Sequence, residues 1–235
     1  MARLANLAKM AARTTGEQLF DDLHGRIVRG ELRPGDSLSE TRVAESVGLS
    51  RTPVREVFWR LADAGFVRVV PQVGTFVAPI NVQAVHDSQF VRETLECRAV
   101  GEAAERASAA HIRDLRDNLD QQDRAIAAGD LTAFFALDEA MHRMLMQIAG
   151  HPFAWQVIAD AKAQLDRVRF LSLGEPEWLG MIMAQHHELI AALAARDAPA
   201  ARRVMTAHLR TAFAAIDRIA ASHPDFFDVD APSPN

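Results

Sequence analysis

The chain has 235 residues, 49% of them hydrophobic and 24% charged, a composition that excludes a disordered or fibrous protein and suits two globular domains. Its single cysteine excludes an internal disulfide, and charges interrupt every apolar segment before the roughly 20 residues that a membrane span requires. The formal net charge of -5 is uneven, because residues 1–79 hold 11 Lys and Arg against 9 Asp and Glu, whereas residues 80–235 hold 15 against 22.

Division at a plausible domain boundary near Pro79 gives net +2 (11 minus 9) before it and net -7 (15 minus 22) after it. The division suits a nucleic-acid-binding head on an acidic body, because phosphate neutralisation needs local rather than global positive charge. The first residues include Arg3 and Lys9 but lack the continuous apolar stretch of a signal peptide. We therefore expect a cytoplasmic protein that does not bind membranes.

Two helices are predicted at the start of the first domain. Apolar residues recur at helical spacing over residues 15–30, where a glycine offers a stop. After a turn at 32–36 that contains proline and glycine, Ser39 is expected to cap a second helix that runs to Val47. Gly48 then supplies the left-handed residue at which such a helix ends.

A third helix and a β-hairpin are predicted to complete the first domain. Thr52 is expected to cap this helix, with Pro53 at its first position, where a missing N–H costs nothing, and the helix runs to about Ala64. Segments rich in β-forming residues at 66–70 and 75–78 flank a turn and predict the hairpin. Three short helices followed by a hairpin indicate a winged helix-turn-helix.

From residue 82 onward the pattern predicts helices throughout. Glycines and prolines interrupt it at short loops, which favour antiparallel neighbours in a bundle of about six helices. The expected fold class is therefore mainly α, an N-terminal winged helix-turn-helix domain followed by an all-α antiparallel helical bundle. The predicted helices of the bundle span 82–106, 110–128, 130–149, 153–172, 178–196 and 198–221. The predicted parts of the chain are a flexible tail at 1–14, the winged helix at 15–79, the helical domain at 80–222 and a flexible tail at 223–235.

Three side chains at the start of the third helix are candidates for reading DNA. Arg51, Thr52 and Arg55 lie on its first turns, which in a helix-turn-helix face base edges and phosphates. Arginine can bond guanine or phosphate in bidentate fashion, and threonine can serve either. Gly74 lies where the wing would approach DNA closely, a place that favours a residue without a side chain. An isolated arginine is more often a solvated charge, so the surrounding pattern decides the interpretation.

That surrounding pattern resembles the GntR family of bacterial transcription regulators over about residues 15–79, which implies a DNA-binding protein. Relatives usually carry an arginine seven residues before the glycine that ends the second helix, where this chain has Thr41. In such relatives this arginine contacts a DNA phosphate, and Arg42, the next residue here, is a candidate to make that contact instead. The matching motifs are GELRPG at 30–35, LSE at 38–40, GLSRTPVRE at 48–56 and GTFV at 74–77.

Four polar residues of the second domain fall on apolar helix faces and suggest a metal site. Asp138 and His142 are four residues apart, so they lie one above the other on a helix. His186 precedes Asp197 by 11 residues and His208 follows it by 11, so the two histidines lie level across the predicted antiparallel hairpin. A buried carboxylate is costly unless a cation pairs with it, and one Asp with three His is a zinc-type ligand set. Taken singly, each histidine is more often a hydrogen-bonded core residue.

Two alternatives stay open at this site. His187 is the rival of His186, but a shift of one residue rotates a helical side chain by about 100°, and periodicity favours His186. A metal-dependent, hydrolase-like enzyme could use the same ligands, since open coordination positions activate water. The chain contains neither an HExxH motif nor a nucleophile turn, so we expect no enzyme.

The helical half resembles the FCD domain, the ligand-sensing domain of the FadR branch of the same family, over about residues 82–218. In such relatives a divalent metal held by one Asp and three His helps to bind a small carboxylate, and the arginine of an RxxLE stretch approaches it. The resemblance gives Arg92 this effector role, although Arg92 could instead pair with Glu96 one turn later. The metal would be zinc, with nickel, manganese or iron as alternatives. The metal ligands that the resemblance implies are Asp138, His142, His186 and His208.

Together the two resemblances imply a repressor. A homodimer would present two winged helices to palindromic, double-stranded operator DNA, and a small carboxylate bound near the metal would release it. Reader and sensor lie in separate domains of one chain, so they can communicate only through the arrangement of those domains. The effector must therefore bind one arrangement more tightly than the other.

Overall fold

A computed structural model describes residues 15–214 and 216–228. The chain divides into two compact units between Pro79 and Ile80. The predicted tail at 1–14 and the last seven residues, 229–235, lie outside the described residues.

The first unit has the predicted order of three helices and a wing. Its elements are α1 (Thr15–Val28), β1 (Ser37–Leu38), α2 (Glu40–Val47), α3 (Arg51–Asp63), β2 (Val67–Val70) and β3 (Gly74–Val77). The three strands form an antiparallel sheet in the order β1-β3-β2, with Leu38 opposite Thr75 and Val69 opposite the same residue from the other side. Strand β1 was not predicted, because two residues are too few to show the alternation that reveals a strand.

The start of α3 differs from its prediction. The residue before the helix is Ser50 and not Thr52, and the helix begins at Arg51. Pro53 is therefore the third helical residue rather than the first. The first four N–H groups of a helix have no acceptor within the helix, and the proline occupies one of these positions. It therefore breaks no backbone hydrogen bond. The second helix follows its prediction, since Ser39 caps α2 and Gly48 ends it with a φ of 67°.

The second unit is helical throughout its described part. Helix α4 packs against α6, α8, α9 and α10, and one apolar core joins α4, α5, α6, α9 and α10. None of the described helices combines the length and the apolar character that a membrane crossing needs. The helices are α4 (Val82–Arg106), α5 (Ala109–Ala127), α6 (Leu131–Ile148), α7 (Pro152–Ala161), α8 (Ala163–Ser172), α9 (Pro176–Ala194), α10 (Ala198–Ala214) and α11 (Ile216–Ser222).

One predicted segment of the bundle needs correction. The helix expected over 153–172 is divided at Lys162, which lies between α7 and α8. The Lys162 side chain is buried there with its ammonium on the carboxylates of Glu139 and Asp166. The segment expected over 198–221 is helical at each of its described residues, in α10 and α11, and residue 215 lies outside the described residues.

The flexible tail predicted from His223 is wrong for residues 223–228. A 3-10 turn over Pro224–Phe226 returns the chain to the start of the unit, where the N–H of Ile80 donates to the carbonyl of Phe226 at 2.7 Å. Phe226 and Phe227 are buried in a second apolar cluster. Two adjacent phenylalanines in a polar segment were the available sign that this part of the tail packs.

Candidate functional sites

The predicted DNA-reading residues share the outer face of α3. The inner face packs into the domain through an apolar set, so the opposite face is left to solvent. Arg51 and Arg55 have side chains that are 62% and 60% exposed, and Thr52 is exposed between them. The buried apolar set is Val54, Val57, Phe58 and Leu61.

A carboxylate of α2 reaches both of these arginines. Oε2 of Glu40 accepts a hydrogen bond from Nε of Arg55 at 3.4 Å and lies 3.9 Å from Nη2 of Arg51. Sequence reasoning did not single out Glu40. The contact joins residues 15 positions apart in different helices, which no local pattern reveals.

Trp59 is a second feature of this face that the sequence did not draw out. It follows Arg55 by one turn, is 77% exposed, and lines an open groove of about 600 Å³ together with Thr52, Arg55, Glu56 and Arg60. The available signal was a tryptophan at a position of α3 that the spacing of the buried residues leaves facing solvent.

The wing turn has its own geometry. Gly74 is the first residue of β3 and has a φ of 150°, which favours glycine, and a Cβ there would meet only the ring of Phe76 at 3.7 Å. The tip itself contains Gln72, with a φ of 61°, and Val73, which is 70% exposed. The candidate for the missing phosphate contact, Arg42, is exposed on α2.

In the second unit, the four predicted metal ligands come together. One ligand atom from each of Asp138, His142, His186 and His208 lies within 4.8 Å of all the others, and all four residues are buried. Nε2 of His142 lies 3.1 Å from Nε2 of His208 and 3.8 Å from Oδ1 of Asp138, which is 3.2 Å from Nε2 of His186. Ligands about 2.1 Å from one ion stand roughly 3–4 Å apart, so these separations fit a divalent metal. His187, the rival, is exposed and turned toward Asp123.

The other ring nitrogen of each histidine is held by an oxygen. Nδ1 of His142 meets the carboxylate of Glu96, Nδ1 of His186 lies 2.8 Å from Oε1 of Gln122, and Nδ1 of His208 lies 3.2 Å from Oε1 of Gln185. Further contacts fix both amides, because the Gln122 amide nitrogen donates to Asn118 at 2.7 Å and that of Gln185 donates to Thr211 at 2.8 Å. Oxygen partners of this kind orient histidines that bind metals.

This orientation makes the centre suited to a cation. With each Nδ1–H donating outward, the three Nε2 atoms turn their lone pairs toward one another, which is unfavourable unless a cation or proton lies between them. Nε2 of His186 is buried and makes no hydrogen bond in the described structure. Burial lowers the pKa of His186, and it lowers the pKa of His208 well below its ordinary value, so both stay neutral as metal binding requires.

Arg169 of α8 completes the charge pattern. Burial would raise the pKa of Asp138, but Arg169 beside it and the neighbouring histidines hold that pKa well below its ordinary value. Arg169 also bonds Glu139 at 2.6 Å and Asp166 at 2.7 Å. Arg169 was not predicted from the sequence, because the contacts that give it this role join α8 to α6.

A cavity of about 20 Å³ lies against the ligands, space for about one water molecule. Arg92 lines it and also pairs with Glu96, with 2.6 Å between Arg92 Nε and the carboxylate, so the predicted alternative pairing is present and the effector role stays a prediction. The cavity is polar on the side of the arginines and ligands and apolar on the other. Its lining residues are Arg92, Phe134, Phe135, Asp138, Arg169, Ser172, Leu173, Ile182, His208 and Leu209.

Comparison with known proteins assigns the chain to a family. Residues 15–77 match the model described as bacterial regulatory proteins, gntR family, and residues 87–211 match that of the FCD domain. An HTH-type transcriptional regulator in an unstable DNA locus of Streptomyces ambofaciens is 40% identical over 225 residues, 96% of this chain and 94% of that protein. The chain belongs to the GntR family. It is a transcriptional regulator with an FCD domain, as both motif resemblances predicted.

Other relatives of this GntR regulator agree. The HTH-type transcriptional repressor RspR of Escherichia coli K12 is 36% identical over 211 residues, 90% of this chain and 92% of RspR. The solved structure of E. coli McbR/YncC has a TM-score of 0.76 at 22% identity and covers 88% of this chain and 99% of its own, which confirms the predicted mainly α fold class. These relatives and families are DNA-binding regulators and not enzymes, so the enzyme alternative is set aside.

Proposed function

We propose that this GntR regulator is a repressor that leaves its operator when a small carboxylate binds beside a divalent metal in the FCD unit. The observation that carries the proposal is the convergence of three histidine nitrogens and one carboxylate on a buried centre next to a cavity lined by arginines. A metal supplies a Lewis acid to which a carboxylate can bind directly. We infer repression rather than activation because the relative RspR is named as a transcriptional repressor.

The DNA-facing surface of this proposal is the outer face of α3 with the wing. Arg51, Thr52 and Arg55 would contact bases and phosphates, Arg42 a phosphate, and the backbone at Gly74 would approach DNA closely. Support comes from their exposure and from the GntR match over residues 15–77.

Zinc is the metal that we propose for Asp138, His142, His186 and His208, because imidazole nitrogens with one carboxylate suit zinc; nickel, manganese and iron accept similar ligands. The chain's own residues prepare the site. Glu96 and the two glutamines orient the rings, while Arg169 keeps Asp138 ionised.

The small size of the cavity suggests how the effector acts. At about 20 Å³ the cavity holds one water molecule but no carboxylate metabolite, so an effector must move the walls to enter. Arg92 would leave part of its pairing with Glu96 to meet the effector carboxylate. A ligand that fits only the widened form shifts the regulator toward that form.

We further propose a homodimer on palindromic DNA. Two-fold symmetry is the commonest arrangement of soluble oligomers, and it places two recognition helices on related half-sites. Release would follow when the effector changes the spacing of the two winged helices.

A gel-shift titration with the intergenic DNA beside the gene tests the DNA-binding surface. Arg51→Ala combined with Arg55→Ala should weaken binding at least tenfold, because each removes a charge-assisted contact. Unchanged binding by the double variant would rule out this face of α3.

Metal content and ligand response test the sensor. Protein purified without chelator should contain about one zinc per chain, and His186→Ala or His208→Ala should lose it while His187→Ala keeps it. Thermal shift with acetate, lactate and citrate should find a carboxylate that stabilises the metal-loaded protein and releases DNA. Metal-free wild-type protein, or stabilisation unaffected by removing the metal, would refute the proposed sensor.

A further inference from the structure

Glu40 lies between the two arginines of the proposed DNA surface. It is the first residue of α2, and its side chain is 26% exposed, less than half the exposure of either arginine. One oxygen, Oε2, serves both partners, with the hydrogen bond to Arg55 at 3.4 Å and Arg51 at 3.9 Å. Glu40 is thus the most buried of these three side chains, and both arginines are more exposed to solvent.

We propose that Glu40 is a positioning residue that sets the DNA specificity of this regulator. It holds Arg51 and Arg55 in a shared orientation and offsets part of their charge. The inference rests on the proposed DNA-binding role of these arginines, and it adds a residue that need not touch a base.

Glu40 should affect binding to matching and to unrelated DNA differently, for two physical reasons. A fixed carboxylate repels the phosphates of every duplex, and it lowers the attraction that drives sequence-independent binding. An arginine held in one orientation loses less freedom on binding, but it gains only where an acceptor stands at the matching position. Glu40 should therefore weaken binding to unrelated DNA more than binding to a matching site.

Folding stability is not the expected role of these three side chains. Ion pairs between exposed side chains contribute little to folding, because solvent screens them. Glu40 also lies in the first turn of α2, where a negative charge is favourable, so each variant needs a check of stability.

The matched comparison is Glu40→Gln against Glu45→Gln. Both residues lie on α2, and both changes remove one negative charge. Glu45 is exposed, and among the described residues no hydrogen bond or ion pair joins it to an arginine. Any difference between the two variants therefore reports the contact with the arginines rather than net charge.

Fluorescence anisotropy would measure binding to two duplexes of equal length. One is selected from a random pool by the wild-type protein, and the other is unrelated. For Glu40→Gln we expect binding to the unrelated duplex to tighten about threefold or more relative to Glu45→Gln, and the ratio of the two affinities to fall by at least as much. The slope of log K against log salt should steepen by about one.

Equal effects of the two substitutions on both duplexes would overturn the proposal. If circular dichroism shows that Glu40→Gln unfolds the domain, Glu40→Asp keeps the charge on a shorter side chain, and an unchanged affinity ratio there would also overturn it. The proposed function fails separately, when Arg51→Ala with Arg55→Ala still binds DNA.

Discussion

The buried amide of Gln122 shows how a single residue beyond the ligands can control the metal site. It accepts from Nδ1 of His186 at 2.8 Å and thereby turns Nε2 toward the centre. Gln122→Met should keep the volume but leave His186 without its orienting oxygen, and we expect zinc affinity to fall about 10- to 100-fold. Competition with a chromophoric chelator measures this. The neighbouring Gln121→Met is the control, because Gln121 is exposed and its side chain bonds the carbonyl of Asp117, away from the histidines; equal affinities for both variants would contradict the prediction.

Cys97 offers a prediction about pH at the same scale. Burial raises the pKa of its thiol above the ordinary value, against a hydrogen bond with Thr206 that lowers it. Since only the thiolate reacts, alkylation by iodoacetamide should be slow near pH 7.5 and should increase with a midpoint above that of glutathione. Cys97→Ser gives the blank rate. Steric shielding alone would lower the rate at every pH without moving the midpoint from that of glutathione, and this result would disprove the shifted pKa.

At the residue scale, the ligands of the candidate site could be predicted but their supports could not. Asp138 and His142 follow from helical spacing, and His186 and His208 from counting along a hairpin. Glu96, Gln122 and Gln185 lie on α4, α5 and α9, and each meets a histidine of a different helix, so helix packing rather than local spacing places them against the rings. Arg169 was missed for the same reason.

At the element scale, glycine conformation separates two positions that look alike in sequence. Gly48 ends α2 with a φ of 67°, where a side chain meets no atom within 4 Å but the backbone is strained. Gly180 lies inside α9, also with open space around it and without a positive φ. Gly48→Ala should destabilise the winged-helix unit by about 1–2 kcal/mol, and Gly180→Ala should stabilise the other unit by about 0.5–1 kcal/mol. Calorimetry checks both, and a stabilising Gly48→Ala would contradict this account.

The boundaries of α2 were predictable because local chemistry sets them, with Ser39 as its cap and Gly48 at its end. The break at Lys162 was not predictable, because neither glycine nor proline marks it. Its ammonium is instead bound by carboxylates from α6 and α8. The local sequence pattern predicts one continuous helix across Lys162, and this tertiary contact overrides it.

At the scale of the whole molecule, the division at Pro79 means that metal loss should affect one unit and not the other. Every proposed ligand lies in the FCD unit, so metal stabilises only that unit, by about 2.7 kcal/mol at a free concentration 100 times Kd. For a unit of this size that corresponds to a shift of roughly 5–10 °C in Tm.

Calorimetry of the full chain before and after chelation should therefore lower one transition and leave that of the winged-helix unit in place. His187→Ala should reproduce the wild-type shift, whereas His186→Ala should show the lower transition from the start and no response to chelator. A parallel fall of both transitions would mean that the units unfold together. If chelation leaves a zinc-loaded protein unchanged, the bound ion lies elsewhere than on Asp138 and the three histidines.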